Sequence, residues 1–404
     1  MVFAALTLLS LGLLLWQFAA AARFPLHSRI ADESFAPPIT ILKPLKGFDE
    51  HTAACLHSWL TQNYRGGVQV LFGVAGQTDP AGDIVRELLR KFPDVDAELV
   101  FTPEPLGSNA KIATVTQLMR RAKHDIICLS DADVCVPMDF LANAVAPLRD
   151  AGVGLVNCFY QLANPATLAM RWEAIAVNAD FWSQVLQSNT IKPQDFALGA
   201  AMITRRAMLA KIGGFESLLD YLADDYQLGH KIAGTGARIE LSPVVVECWS
   251  KRMNFQEVWR HQLRWARTIR VSQPFPYLFS ILSNVTLWAL LLAAFSDFGR
   301  FPPDSVVYDD RAPNWLAAME MFQVHLAGIA ALMVISVRCF IATRLCLRLT
   351  QRRDILGYWW LAPAKDFLQV GLWAASFLGN TVEWCGKRFR LTRGGKLTPI
   401  EQPR

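Results

Sequence analysis

Asp125-Ile-Ile-Cys-Leu-Ser-Asp-Ala-Asp133 decides how this chain is read. Its apolar run is short, rich in β-branched residues and bounded by polar ones, the pattern of a buried strand, and it ends in two carboxylates one residue apart. Strand period two places Asp131 and Asp133 on one face. Like charges this close repel unless a cation lies between them, and a hard divalent ion with a preference for oxygen is the natural neutraliser. Such an ion would also clamp a diphosphate. On spacing alone, a surface loop with capping aspartates ahead of Pro137 is the alternative.

Comparable runs lie on either side: ITILKPL (Ile39 to Leu45), VQVLFGV (Val68 to Val74), AELVF (Ala97 to Phe101), GVGLVNCFY (Gly152 to Tyr160) and IELSPVVVECW (Ile239 to Trp249). Helical patterns such as Asp83 to Phe92 and Ala110 to Ala122 separate the early ones, so an α/β domain is expected from about Pro37 to Arg270. Sheets of this kind bind ligands at the carboxyl ends of their strands. The usual phosphate loops, GxGxxG and GxxxxGK[ST], are missing, so phosphate must be held some other way. GxSxG and HExxH are missing too, which removes support for a serine hydrolase or a zincin.

Two more stretches carry chemistry. Leu222-Ala-Asp224-Asp225-Tyr226 opens an amphipathic run, where the aspartates would cap a helix and favour its dipole. A turn at Gly213-Gly214-Phe215, and the small pair Gly199-Ala200 where a backbone can approach a ligand, favour a site instead. His261-Gln-Leu-Arg264-Trp265 sits in a basic amphipathic run with Phe255, Trp259 and Leu263 at helical intervals, a pattern usual for a helix on anionic lipid. Arg264 beside Trp265 would in addition neutralise a diphosphate leaving group.

Composition frames these motifs. The 404 residues are 52% hydrophobic and 19% charged, with 13 Trp and a net charge of +5, more apolar than an ordinary soluble globule and neither disordered nor coiled coil. Met1 to Ala22 carries no charge and would reach roughly 33 Å as a helix rising about 1.5 Å per residue, enough to span a bilayer. Its first charges, Arg23, His27 and Arg29, come after it, which argues against a cleaved signal and puts the next part of the chain in the cytoplasm. Pro274 to Phe295 and Leu316 to Thr343 read as a hairpin of two spans around an external acidic loop with Asp297, Asp304, Asp309 and Asp310. Arg344, Arg348, Arg352 and Arg353 then mark the cytoplasmic side. Ile355 to Val382 is broken by Pro363, Lys365 and Asp366 and followed by a basic tail, so it re-enters or lies along the membrane, a third span being the rival. The expected parts are thus a transmembrane helix (1–22), a catalytic domain (37–270), two transmembrane helices (274–343) and a re-entrant segment with its tail (355–404). Eight cysteines without a CxxC pair read as reduced thiols.

Taken in order, KPLKG (Lys43 to Gly47), GSNAK (Gly107 to Lys111), SDAD (Ser130 to Asp133), GGF…LADDY and the Arg264-Trp265 pair resemble the membrane-bound ceramide glucosyltransferases, family 21 in the glycosyltransferase-A clan. The ordered set carries the likeness, over nearly the whole chain. It implies an α/β glycosyltransferase-A (nucleotide-diphospho-sugar transferase) fold with N-terminal and C-terminal transmembrane helices. It implies that Asp131 and Asp133 bind nucleotide and Mg2+ or Mn2+, that Asp225 is the catalytic base, and that Asp79, Lys111, His261, Arg264 and Trp265 contact the donor. Two positions depart from the pattern. The family usually has Asp where Gly76 stands, with Asp79 the nearest substitute, and Gln or Arg where His261 stands.

The implied activity is inverting transfer of a hexose, glucose first, from a UDP-sugar to the hydroxyl of a membrane lipid, most directly ceramide. One base suffices for such an in-line displacement, while a metal and Arg264 would stabilise the leaving diphosphate. The protein would be integral to a bacterial inner membrane with its catalytic domain cytoplasmic and no nucleic-acid partner. Transfer of N-acetylglucosamine to a hopanoid polyol, whose enzymes share the H-x-L-R-W-A-R-T pattern, and a non-catalytic membrane scaffold are the rival readings.

Overall fold

A computed structural model of the chain describes residues 1–298, 314–384 and 386–400. The acidic loop expected around Asp304, Asp309 and Asp310 lies outside these residues, as does Cys385; the seven described cysteines are all free thiols.

Eight strands form the main sheet: β1 (Ile39–Leu45), β2 (Val68–Val74), β3 (Asp96–Phe101), β4 (Ile126–Ser130), β5 (Val134–Cys135), β6 (Val153–Leu162), β7 (Ala201–Arg205) and β8 (Arg238–Cys248). They lie in the order β3-β2-β1-β4-β7-β6-β8-β5. The β3-β2-β1-β4 half is parallel, and β7 is antiparallel to both its neighbours. Period two sorts the apolar side chains onto two faces: Ile41, Phe72 and Cys128 pack with Leu56, Trp59 and Phe140, while Leu42, Leu71 and Leu129 pack with Ile112, Val115 and Leu118. With both faces covered, the central strands read as continuous apolar runs, and every residue of β1 is buried. Sequence pattern does not disclose β7. Its residues, AMITR, are few and run straight from the small-residue turn at Gly199-Ala200 into a helix at Arg206.

The helices that matter for the site are α1 (Val2–Arg23), α2 (Ala81–Lys91), α3 (Ala110–Met119), α4 (Leu168–Ile175), α5 (Asp224–Ala233) and α6 (Phe255–Ser272), followed by α7 (Pro274–Phe279), α8 (Val285–Phe298), α9 (Asn314–Thr350) and α10 (Leu361–Phe377). Among the described residues, Val2–Arg23 and His325–Thr350 are each long and apolar enough to cross a membrane, with mean hydropathy 2.0 and 2.1. Pro274–Ser283 and Val285–Ser296 meet that standard together but are bent by 53° at Asn284. Two ends of these helices gather beside the α/β domain: Phe24, just past α1, meets Phe159 of β6 edge-on at 5.6 Å, and Arg348 near the end of α9 donates to the carbonyls of Ala22 and Phe24. At the other end of α1, Phe3 stacks on Phe295 of α8 at 4.9 Å, so the two helices run antiparallel. The tail, read in sequence only as basic, folds into an antiparallel sheet of β9 (Thr381–Trp384), β10 (Lys387–Leu391) and β11 (Leu397–Pro399). Its apolar face, Val382, Phe389, Leu391 and Leu397, covers Leu222 and Val271, so the tail closes over the turn that leads into α5.

Candidate active site

Register decides where the first pair of aspartates falls. Leu42 of β1 lies opposite Leu129 of β4, so β4 delivers Asp131 to the carboxyl end of the sheet beside Lys43 and Pro44. Here β1 has β2 on one side and β4 on the other, the topological switch point at which open α/β sheets bind ligands. Beneath the Asp131–Asp133 turn lies Lys43, fully buried, whose Nζ donates to Ser130 Oγ at 3.2 Å and to the carbonyl oxygen of Asp131. Burial lowers the Lys43 ammonium to about 8 despite the opposing pull of Asp133 and Asp131. The sequence pattern assigns this residue no role of its own. A lysine inside the apolar run ITILKPL was the available signal.

Lys111 joins two motifs that lie far apart in the chain. Asn109 caps α3 by accepting from Ile112 N at 3.0 Å, and the cap sets Lys111 on the first turn facing the cleft. Its Nζ is 2.6 Å from Asp131 Oδ1 and 2.8 Å from Asp224 Oδ2. Burial disfavours this charge, yet the two carboxylates outweigh burial and hold the ammonium above its ordinary range. The expected capping role of Asp224 is therefore corrected: it is buried, makes no capping bond to α5, and serves as an ion partner of Lys111.

Asp225 stands beside that pair. Gly199 makes room for it, since a Cβ at residue 199 would lie 2.8 Å from Asp225 Oδ2. The small residue thus seats a side chain of the protein itself rather than admitting a ligand. Burial, then the charge of Asp224, raises the Asp225 carboxyl to about 6, with Lys111 and the Tyr226 amide pulling the other way. Tyr160 on β6 ties the region together: burial, Cys248 and the nearby carboxylates of Asp225, Glu173 and Asp131 all push its hydroxyl well above its usual range.

Asp133 keeps solvent access into the cleft while protein crowds it at longer range, and that desolvation followed by the charge of Asp131 raises its carboxyl to about 6. Four carboxylates, Asp131, Asp133, Asp224 and Asp225, face two ammonium groups, Lys43 and Lys111. The excess of two negative charges suits a divalent cation. Among the described residues no cluster of three or more His, Cys, Asp or Glu side chains forms a closed metal cage. An ion held by Asp131 and Asp133 would thus complete its shell with oxygens of the donor, the usual way Mg2+ is held with phosphates.

The remaining expected residues fall at two other places. Asp79, in the turn before α2, accepts from Gly47 N at 3.0 Å and from Ala81 N at 3.0 Å, pinning the KPLKG turn where Gly47 has φ 64°. On α6, whose start is fixed by a capping box between Asn254 and Glu257, His261 Nδ1 lies 2.6 Å from Glu173 Oε1. Gln262 Nε2 donates to the same oxygen at 2.8 Å, and Glu173 is buried. Trp265 packs against His261 with ring centroids 4.7 Å apart, and Arg264 is half-buried beside them. Neither Glu173 nor Tyr160 carries a spacing that sequence reading detects.

A family model, Glycosyl transferase family 21, matches residues 2–308 and 310–397. The chain belongs to this family. A ceramide glucosyltransferase 3 of Caenorhabditis elegans is 26% identical over 224 residues, 55% of this chain and 48% of the relative. A ceramide glucosyltransferase of Candida albicans is 32% identical over 129 residues, 29% of this chain and 24% of that one. The chain spans about half the length, or less, of these curated relatives. A solved mannosyltransferase from Pyrobaculum calidifontis, in complex with GDP-Man and Mn2+, is 20% identical with a TM-score of 0.49, over 93% of this chain and 97% of that one. Family 21 membership fits the order of the motifs, from KPLKG through the Arg-Trp pair, along the chain.

Proposed function

We propose that this family 21 protein transfers a hexose, glucose in the first instance, from a UDP-sugar to the hydroxyl of a membrane lipid, with ceramide the favoured acceptor. The observation that carries the reading is Asp225: a carboxylate half-shielded from water, raised to about 6 and seated against Gly199 in the cleft that also holds Asp131 and Asp133. A general base works best with a pKa near the working pH and with its target within hydrogen-bond reach. Asp225 takes the proton of the acceptor hydroxyl as that oxygen attacks the anomeric carbon, and a single displacement inverts the centre. Lys111 holds Asp131 and Asp224 in place, and Lys43 supports the Asp131–Asp133 turn from below. Asp131 and Asp133 would hold Mg2+ or Mn2+, which supplies charge stabilisation to the departing diphosphate. Asp79, His261, Arg264 and Trp265 complete the donor side in this proposal.

The helices α1 and α9 anchor the protein, and the gathering of Arg23, Arg344 and Arg348 at the end nearest the catalytic domain favours a cytoplasmic domain on the inner face of a bacterial membrane. His261, at the place where the family has Gln or Arg, favours one second reading: transfer of N-acetylglucosamine to a hopanoid polyol. The test is a membrane-fraction assay with labelled UDP-glucose and UDP-N-acetylglucosamine, each against ceramide, diacylglycerol and a hopanoid polyol. Glucosylceramide that disappears in Asp225→Asn supports the first reading, and a glucosaminyl hopanoid replaces it with the second. Absence of transfer with every pair and both metals, from folded protein, returns the chain to a membrane scaffold.

A further inference from the structure

Four charged side chains lie buried among the apolar helices, far from the carboxylates of the cleft in sequence and unused by the chemistry of that cleft. Arg338 on α9 donates from Nη1 and Nη2 to the two oxygens of Asp180, at 3.0 and 2.8 Å. It also donates from Nε and Nη2 to the two oxygens of Asp366, at 3.0 and 2.9 Å. Lys365 bonds both acids as well, and Thr286 of α8 donates to Asp366 Oδ2 at 2.5 Å. All four charged residues are at most 6% exposed. Asp180 belongs to a π-helical turn, Ala176–Phe181, that follows α4, and such turns recur at functional sites. Buried charges of this kind in an apolar helix bundle mark functional sites more often than they stabilise.

These groups line a cavity of about 290 Å³ that also takes in Gln17, Gln262, Trp265 and Gln369. One wall reaches the cleft. Gln262 shares Glu173 Oε1 with His261, and Phe181 packs at 5.7 Å on Tyr160, whose hydroxyl burial, Cys248 and the charges of Asp225, Glu173 and Asp131 push up. The bent segment forms another wall. Pro276, Tyr277 and Ser280 of the bent segment line the cavity, whereas Phe275 and Phe279 point outward at 74% and 59% exposure. Ile269, at the cavity's edge, is itself 47% exposed. The bent segment thus turns Tyr277, Ser280, Ser283 and Asn284 inward beside Pro276 and Ile281 and exposes Phe275 and Phe279, which suits a gap through which a lipid slides sideways from the bilayer.

We infer that this cavity seats the head of a neutral, hydroxyl- and amide-bearing acceptor lipid, with its tails left in the bilayer. This rests on the proposed function, in which the acceptor is a membrane lipid. Charge decides the class. Two cations against two anions leave no net charge, so an anionic phosphate gains nothing there. The described bonds use four of the five N–H groups of Arg338 and two of the three of Lys365, leaving one donor on each for a carbonyl or hydroxyl oxygen. A volume near 300 Å³ holds a headgroup and its first carbons, not a whole lipid.

The test uses the full chain in nanodiscs of zwitterionic lipid, with a ceramide bearing a diazirine near its head and a terminal alkyne. Cross-links mapped by mass spectrometry to Phe181, Trp265 or Trp373, competed by unlabelled ceramide and not by phosphatidic acid, are the expected result. Gln369→Trp fills the cavity from α10 without touching the charged network. It should abolish those cross-links and raise the acceptor KM at least tenfold, while the donor Kd and the slow hydrolysis of the UDP-sugar in the absence of acceptor stay unchanged. Cross-links confined to other surfaces, or an unchanged acceptor KM in Gln369→Trp, overturn the inference. Labelling of the cavity in a protein that transfers no sugar leaves a lipid-head site there and removes its role as an acceptor site together with the proposed activity, whereas transfer without labelling overturns the site and keeps the activity.

Discussion

The two charged clusters of this protein lie on either side of Tyr160 and Phe181 and are built on opposite plans. In the cleft, Asp131, Asp133, Asp224 and Asp225 outnumber Lys43 and Lys111, and the carboxyls of Asp133 and Asp225 are pushed up to about 6 as a result of burial and mutual repulsion. Among the apolar helices, Asp180 and Asp366 are matched by Arg338 and Lys365, each acid bonded by both cations. An uncompensated buried charge is costly, so a protein keeps one where a ligand or a reaction completes it. A compensated set instead fixes geometry and offers its leftover donors. The imbalance marks where chemistry is expected, and the balance marks where binding is.

The largest effect should follow from removing the proposed base. Asp225→Asn is expected to lower kcat about 10²- to 10⁴-fold with donor affinity retained, the range for loss of a general base. In the wild type kcat/KM should fall about tenfold per pH unit below about 6, as Asp225 takes up a proton. Stability moves the other way. Because the folded state raises Asp225 above its ordinary value, the native protein binds the extra proton between about 4 and 6, and stability declines as pH rises through that window. Asp225→Asn should therefore melt higher than wild type at pH 8, with the difference gone below pH 4. Equal melting curves at pH 8 would mean that the cleft carries no electrostatic strain.

The balanced cluster predicts the opposite pattern. Lys365→Met leaves two acids against one cation and should destabilise the protein by about 3–5 kcal/mol, the usual cost of breaking a buried pair. Removing Lys365 and Asp366 together leaves the two-bond pair of Arg338 with Asp180. The double variant Lys365→Met/Asp366→Leu should thus retain more stability than either single variant, measured by thermal unfolding in detergent. A double variant worse than both singles would show that the individual bonds, not the balance, hold the helices.

A smaller effect is expected at Gly199. Alanine there would bring a methyl group to 2.8 Å from Asp225 Oδ2, so the base must shift by a few tenths of an ångström or more. Misplacement on this scale lowers kcat about 10- to 100-fold without weakening donor binding. An unchanged kcat in Gly199→Ala would mean that Asp225 is not positioned by this contact.

What the sequence disclosed divides along the same lines. Strands β1, β2 and β4 are continuous apolar runs closed by polar turns, so period and composition located them, and the Asp131–Asp133 pair followed from its place at a strand end. Asp225 was found through its motif. Two residues that escape, Glu173 and Asp180, act through partners 88 and 185 positions away in the chain, His261 and Lys365. No local pattern encodes such a contact. Lys365 and Asp366 show in the sequence only as interruptions in an apolar run, because a charge within such a run is visible there while its neutralising partner on another helix is not. The short strand β7 escaped for a different reason, since five residues between a glycine turn and a helix carry too little periodicity to stand out.

The smallest effect is expected at His261. His261 meets Glu173 through Nδ1 alone, at an oxygen that Gln262 also bonds. A glutamine in place of His261 presents an amide N–H that can reach the same carboxylate, so His261→Gln should keep kcat/KM within about threefold of wild type. His261→Ala withdraws the bond from a buried acid, and hydrogen bonds to charged groups contribute about 1.5–3 kcal/mol, so its loss should be roughly tenfold or more. The two variants together separate a hydrogen-bonding role from an acid-base one. If His261→Gln is as damaging as His261→Ala, the imidazole itself takes part in the reaction, and the boundary between a cleft that reacts and a wall that only positions would have to move to include it.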